Sequence, residues 1–275
     1  MGPMDIKALL RELELRPLKQ LGQNFLVDPH VLERILDAAE VGPHDAVLEI
    51  GAGLGILTQA LAARARRVVA VEVDHRLVEV LRERLRIRSN AEIVEGDILT
   101  LDVTSLLQEA PYKAVANIPY YITSAVLRHL LEARVRPTLC VLMVQREVAQ
   151  RIVAQPDEMS LLAVSVQFYG RPSVVAHVPA HAFYPAPKVD SAIVRIDPHP
   201  TLALPEQVVS AFFDVVRAGF GQRRKQLHNA LTHGLHLPAE RVEQCLLGAG
   251  IAGERRAETL AVDEWVQLYR AFATR

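Results

Sequence analysis

The chain has 275 residues, 50% of them hydrophobic and 23% charged, which is ordinary globular material, too long for one small domain and enough for a large domain plus a smaller one. A formal net charge of −1 and a pI near 6.8 exclude a uniformly basic nucleic-acid binder, so any basic surface must be local. Two distant cysteines, Cys140 and Cys245, exclude a disulfide scaffold and read as packing residues; no apolar run is long enough to span a bilayer; and the opening stretch holds Asp5, Glu12 and Glu14 where a transit peptide is poor in acids. The expectation is a soluble cytoplasmic protein with no membrane partner, and a monomer, since no long apolar strip is evident.

Apolar, β-rich runs follow one another along the chain: 47–51 (VLEIG), 68–73 (VVAVEV), 92–97 (EIVEGD), 114–118 (AVANI), 139–145 (LCVLMVQ), 174–178 (VVAHV) and 191–196 (SAIVRI). Most are separated by helix-length segments, the pattern of βαβ units around a parallel sheet buried on both faces. The last two are joined by AHAFYPAPKVD without a convincing helix, and are expected to form an antiparallel pair at one sheet edge. After Ile196 comes a proline-rich connector, DPHPTLALPE, and then only helical periodicity, from Val208 through Phe272. The fold class is therefore α/β and Rossmann-like, a mostly parallel seven-stranded sheet with an antiparallel edge strand, plus a small all-α C-terminal domain. The expected division is 1–200 and 201–275.

Between the first strand and a helix near Ile56 lies EIGAGLG, with glycines at 51, 53 and 55. Such residues let the backbone turn sharply and approach a ligand closely. Glu72 ends the second strand, where a carboxylate can accept from two ribose hydroxyls or simply be a solvated strand-end acid. Asp97 ends the third, placed to accept from an adenine amino group. Together these describe a nucleoside-shaped slot at the carboxyl edge of the sheet.

The fourth strand ends at the same edge in Asn117-Ile118-Pro119-Tyr120. A simple strand exit needs only a turn residue. If the nucleoside is S-adenosylmethionine and the acceptor is the exocyclic amine of adenine, the residue types make sense. That amine's lone pair is delocalised into the ring. The Asn117 oxygen and the Ile118 or Pro119 carbonyl can accept its two hydrogens and favour a pyramidal nitrogen. No strong base is needed, because positioning and dipoles supply most of the catalysis. Proline presets the backbone, and Tyr120 offers a face for the base.

At this point the chain resembles the S-adenosylmethionine-dependent ribosomal RNA adenine N6,N6-dimethyltransferases. The blocks are LGQNFLVD (21–28), VLEIGAGLGILT (47–58), VEVD (71–74), EGDIL (95–99), VANIPYYITS (115–124), MVQREVAQRI (143–152), FYPAPKVDSAIVRI (183–196) and FGQRRKQLHNAL (220–231). The resemblance is closer to the branch that dimethylates two adjacent adenosines in the 3′-terminal hairpin of small-subunit rRNA than to the macrolide-resistance enzymes of large-subunit rRNA. It implies that Gln23, Asn24, Phe25, Gly51, Gly53, Glu72, Asp97 and Asn117 hold S-adenosylmethionine, whose product is S-adenosylhomocysteine. It also implies that Phe183 covers the second face of the target base, opposite Tyr120, with Asn117 and Pro119 beside the reacting amine. The partner would be rRNA within a pre-ribosomal small subunit, with a late checkpoint in subunit biogenesis added to catalysis. A non-catalytic assembly factor would instead show a damaged glycine loop or NIPY, and a nicotinamide oxidoreductase would leave NIPY unexplained.

From the residues alone, Gln23 and Asn24 read as caps or turn formers before a helix with Asp28 as N-cap and Pro29 in its first turn. Arg223, Arg224, Lys225 and His228 are expected on the first turns of one helix, with Arg217 a turn or two earlier, as a face for RNA phosphates or merely for solvent. The family often has arginine where His228 stands. Arg255 and Arg256 form a second basic candidate, Trp265 and Tyr269 read as a core stripe, and no metal site is expected from the histidines at 228, 233 and 236.

Overall fold

The computed structural model of the protein describes residues 6–108, 111–222 and 224–274. In chain order the elements are α1 (Ile6–Glu12), β1 (Phe25–Leu26), α2 (Pro29–Ala39), β2 (Ala46–Ile50), α3 (Ile56–Ala62), β3 (Arg67–Glu72), α4 (His75–Arg84), β4 (Ala91–Glu95), α5 (Val103–Leu107), β5 (Lys113–Asn117), α6 (Thr123–Leu131) and β6 (Leu139–Gln145). There follow α7 (Arg146–Ile152), α8 (Leu161–Gln167), β7 (Gly170–Val178), β8 (Phe183–Tyr184), β9 (Ser191–Pro198), α9 (Glu206–Phe220), α10 (Leu227–Leu235), α11 (Ala239–Gly248) and α12 (Val262–Ala273). Short 3-10 turns lie at Lys19–Leu21, Tyr120–Ile122, Ala180–Ala182 and Ala257–Thr259.

All seven sequence-predicted strands are present, within a few residues at each end, in one sheet of order β4-β3-β2-β5-β6-β9-β7. The pairings β4–β3, β3–β2, β2–β5 and β5–β6 are parallel. Strand β9 runs antiparallel to β6, with Ser191 opposite Gln145, and β7 forms the outer edge beside it. Every residue of β2 is buried, which explains why it reads as an almost unbroken apolar run. The chain goes from β2 to β3 and β4 on one side and later to β5 and β6 on the other. That reversal opens a crevice between the carboxyl ends of β2 and β5.

Helix starts follow local chemistry. Asp28 caps α2 by accepting from the His30 N–H at 2.8 Å, with Pro29 at the first position as expected. Asp74 caps α4 in the same way.

Contacts group the chain into two compact units. One comprises the residues through Ala149 together with Pro172–Pro198; the other comprises Gln150–Arg171 and the chain from His199 onward. A single cut near residue 200 therefore misplaces 150–171. Gln167 donates to the carbonyls of Ile152 and Ala154, the N–H groups of Asp157 and Met159 donate to the Glu258 carbonyl, and Phe168 stacks on Phe212 with centroids 4.7 Å apart. Burying this aromatic cluster ties the segment to α9, a tertiary preference that a linear change in periodicity does not record. Within the helical unit Trp265 and Tyr269 are buried, as the stripe on α12 requires. Cys140 and Cys245 are buried free thiols.

Candidate functional site at the carboxyl edge of the sheet

The crevice holds a cavity of about 270 Å³ within the first unit, lined by the loops that follow β2, β3, β4 and β5 and by residues 21–26. Its floor is the glycine loop. Gly51 has φ +75° and its N–H donates to the Val71 carbonyl at 2.9 Å. A Cβ there would come within 3.3 Å of the Asn117 carbonyl oxygen, so a bare backbone is what lets the ends of β2 and β5 meet. At Gly53, φ +59°, a Cβ would come into van der Waals contact with the Phe25 ring at 3.4 Å. That ring is buried among Ile6, Leu10, Leu54 and Leu77, so α1, which no motif announced, supports the cavity wall.

Glu72, only 6% exposed, organises the loop. One carboxylate oxygen, Oε2, accepts from Gly53 N–H at 2.8 Å; the other, Oε1, accepts from Val73 and Asp74 N–H at 2.9 Å each. Burial pushes the carboxyl up from its usual range, opposed by these N–H donors. Of a carboxylate's roughly four acceptor positions three are taken. One remains on Oε2, so a second ligand hydroxyl is accepted only if a backbone N–H is given up. Asp97 lies beyond β4, its Oδ1 accepting from Leu99 N–H at 3.0 Å. It lines the same cavity.

Gln23 and Asn24 line the cavity too, and both also brace the chain. The Gln23 oxygen accepts from Leu18 N–H, and its Nε2 donates to Asp74 Oδ2, each at 2.8 Å. Asp74 is held below the usual carboxylate range chiefly by the Arg76 guanidinium, with Gln23 adding to it. The acid after VEV was thus a site-building residue that motif reading passed over, although an Asp just before a helical pattern is an N-cap signal. Asn24 donates to the Gly22 carbonyl at 3.0 Å.

On the opposite wall Asn117 ends β5, and among the described residues its side chain has no hydrogen-bond partner. Pro119, φ −56° and ψ 134°, opens the 3-10 turn Tyr120–Ile122, and its carbonyl accepts from Ile122 N–H at 3.2 Å. The Tyr120 hydroxyl lies 2.6 Å from the Oγ of Ser191, a fully buried serine at the start of β9. Burial raises the Tyr120 phenol above its ordinary value, with the Ser191 bond opposing. Ser191, within the block 183–196, was read only as strand.

Phe183 is not in the cavity lining. It is 3% exposed in the apolar core, and its strand β8 pairs with β1, Leu26 opposite Phe183 and Phe25 opposite Tyr184. The YPAP loop therefore buttresses the backbone of Phe25 in this structure.

One buried acid went unnoticed in the sequence. Glu49, 1% exposed within β2, lines the cavity, and among the described residues neither carboxyl oxygen has a hydrogen-bond partner. Burial pushes its carboxyl up to about 8, opposed by the neighbouring Thr58 hydroxyl and reinforced by Glu72.

In the helical unit the basic residues do not share a helix. Arg224 and Lys225 lie in the α9–α10 connection, where Lys225 N–H closes a turn on the Gln222 carbonyl. Helix α10 starts only at Leu227, because Gln226 is extended. His228 lies in the first turn of α10 with Nε2 3.2 Å from the Ala239 carbonyl; Arg217 pairs with Asp214; Arg223 falls outside the described residues. Arg255 is bound to Glu264 and to the Thr259 carbonyl, an internal brace more than a free basic patch. No group of three or more His, Cys, Asp or Glu able to hold a metal ion occurs among the described residues.

Comparison with known proteins agrees with this geometry. The family described as ribosomal RNA adenine dimethylase matches residues 16–274. A protein of Dehalococcoides mccartyi named ribosomal RNA small subunit methyltransferase A is 50% identical over 264 residues, 95% of this chain and 90% of the relative. Among solved structures, the 23S rRNA methyltransferase ErmE is 32% identical with a TM-score of 0.73, covering 91% of this chain and all of the other. A dimethyladenosine transferase from Plasmodium falciparum is 27% identical with a TM-score of 0.78, covering 90% of this chain and 97% of the other. With its glycine loop, strand-end acids and NIPY turn gathered around one cavity and a family match running almost from end to end, the chain belongs to the ribosomal RNA adenine dimethylase family.

Proposed function

We propose that this protein transfers methyl groups from S-adenosylmethionine to N6 of two adjacent adenosines in the 3′-terminal hairpin of small-subunit rRNA, giving N6,N6-dimethyladenosines and S-adenosylhomocysteine. The observation that carries the reading is the position of Asn117. Its side-chain amide, without a partner among the described residues, stands at the end of β5 in the same cavity as the glycine loop, Glu72 and Asp97. The residues fit the cofactor: the bare backbone of Gly51 and Gly53 leaves room beside Asn117 and Phe25, Glu72 keeps an acceptor position, and Asp97, Gln23 and Asn24 add polar groups to the lining. When bound, S-adenosylmethionine supplies an electrophilic methyl group on a sulfonium.

The chain's own atoms do the rest. The Asn117 oxygen accepts one hydrogen of the target amine. The Pro119 carbonyl is already engaged by Ile122 N–H, which makes the Ile118 carbonyl the freer acceptor for the second. Holding both hydrogens in this way turns the amine lone pair out of the ring, and the proton released on methylation passes to water. Tyr120, its phenol kept neutral and pinned by Ser191, provides the face on which the base lies. Phe183 reaches the opposite face only if it leaves the core, so its contribution here is to hold β1. The first unit is the catalytic domain and the helical unit the RNA-binding domain, where Arg224, Lys225 and His228, with Arg223, meet phosphates. The protein acts as a monomer on a pre-ribosomal small subunit in the cytoplasm, and adds a late checkpoint in subunit biogenesis to its catalysis.

The deciding experiment is methyl transfer from labelled cofactor to small subunits that lack the dimethyladenosines and, in a parallel reaction, to unmethylated large subunits, with products mapped by mass spectrometry. Dimethyladenosine at the adjacent pair is expected. Label confined to large-subunit rRNA would move the protein to the resistance branch, and cofactor binding without transfer would leave an assembly factor.

A further inference from the structure

Two phenols follow Pro119, and the 3-10 turn sends them to different environments. Tyr120 is half-buried and tied to Ser191. Tyr121 is 68% exposed, and among the described residues it is the one aromatic side chain among the exposed large apolar groups and its hydroxyl has no hydrogen-bond partner. Both line the same cavity. The Tyr121 ring is backed by the turn at Lys19–Leu21: Gly22, at φ +61°, has no side chain, and a Cβ there would sit 3.6 Å from the ring and 3.1 Å from the Pro119 Cβ. The ring thus lies beside a residue without a side chain, and most of its surface faces solvent at the cavity it lines. A phenol held this way, one residue from the face assigned to the reacting base, has the features of a stacking platform.

We propose that Tyr121 binds the nucleotide adjacent to the target adenosine, stacking on its purine while the target occupies the cavity; this rests on the function proposed above. The physical need is direct. Taking one base out of a strand strips its neighbour of a stacking partner, and an exposed ring at the cavity mouth replaces it. For a substrate with two adjacent adenosines, the neighbour is the other target. One rigid cavity then serves both, with the strand advancing by a single nucleotide between reactions and the second adenosine kept at hand.

The test uses the full-length protein, unmethylated small subunits, and the same subunits carrying 2-aminopurine beside the target position. Tyr121→Ala should raise KM for the subunit by about tenfold, release rRNA with only one of the two adenosines dimethylated, and abolish the quenching of 2-aminopurine that the native enzyme produces. Its calorimetric affinity for S-adenosylhomocysteine should match the native value, which reports an intact cavity. Tyr121→Phe should restore KM, product pattern and quenching, since stacking needs the ring and not the hydroxyl. If Tyr121→Ala keeps the native KM, paired products and quenching while the native enzyme methylates both adenosines, this inference falls alone. If the native enzyme methylates no small-subunit adenosine, the proposed function falls and takes the inference with it.

Discussion

The cavity wall at Asn117 and the α9–α10 connection at Arg224 are built on opposite plans. At the cavity, atoms are held by the ends of buried strands. Asn117 sits on a strand bonded to neighbours on both sides, Gly51 is pressed against it, and Glu72 is held by three N–H groups. At the connection, Arg224 and Lys225 are exposed in a turn between helices. Methyl transfer depends on angles and tenths of an ångström, whereas attraction to phosphate falls off gently with distance and tolerates a moving side chain. Single substitutions should therefore be severe at the cavity and graded at the connection.

Asn117→Ala should be the most severe substitution at the cavity. It should lower kcat by about a hundredfold or more, with subunit affinity nearly unchanged. Single-turnover methylation beside a filter-binding assay checks both, and near-native turnover would remove Asn117 from the chemistry.

Next comes Glu49, whose carboxyl is held near 8 against an ordinary 4.5. A raised value means the folded state binds the proton more tightly than the open chain. The stability this group contributes is full below 4.5 and is lost as pH rises to 8 and beyond. Glu49→Gln should flatten that decline, so its urea midpoint should exceed the native one at pH 8 by more than at pH 5. Parallel pH dependences in the two proteins would contradict the assignment.

A smaller effect is expected from Ser191→Ala, which leaves the Tyr120 hydroxyl without its partner. Loss of one such bond should reduce kcat/KM by about threefold to tenfold. Tyr120→Phe should produce a similar loss, and the double variant should be no worse than either alone. Additive losses would separate the two residues.

The mildest outcome belongs to Arg224→Ala with Lys225→Ala. Cofactor affinity should be untouched and the slope of log affinity against log salt should become shallower by about one to two. An unaltered slope would turn this segment away from RNA.

Much of the first region was legible before the structure. Seven strands, the Asp28 cap and the gathering of Gly51, Glu72, Asp97 and Asn117 at one sheet edge follow from local patterns, because each is a strand end or turn whose chemistry lies within a few residues. The ribbon β1–β8 was not legible, since two residues a side carry no periodicity and the pairing joins positions far apart in sequence. The helix expected at Arg224 is absent for the converse reason: charge marks a surface but not a helix, and α9 ends at Phe220 while Gln226 is extended before α10, so Arg224 and Lys225 fall between the two helices.

The α/β class, the strand list and the chemical identity of the cavity's residues are written in hydrophobic period and in side-chain type at strand ends. What those side chains already hold depends on how the chain packs. Packing committed Gln23 to Asp74 and three acceptor positions of Glu72 to backbone N–H groups. It buried Phe183 behind the site and left Tyr121 exposed at its mouth. Hydrogen-bond partners and burial are properties of residues brought together across long sequence separations, and no local pattern encodes them.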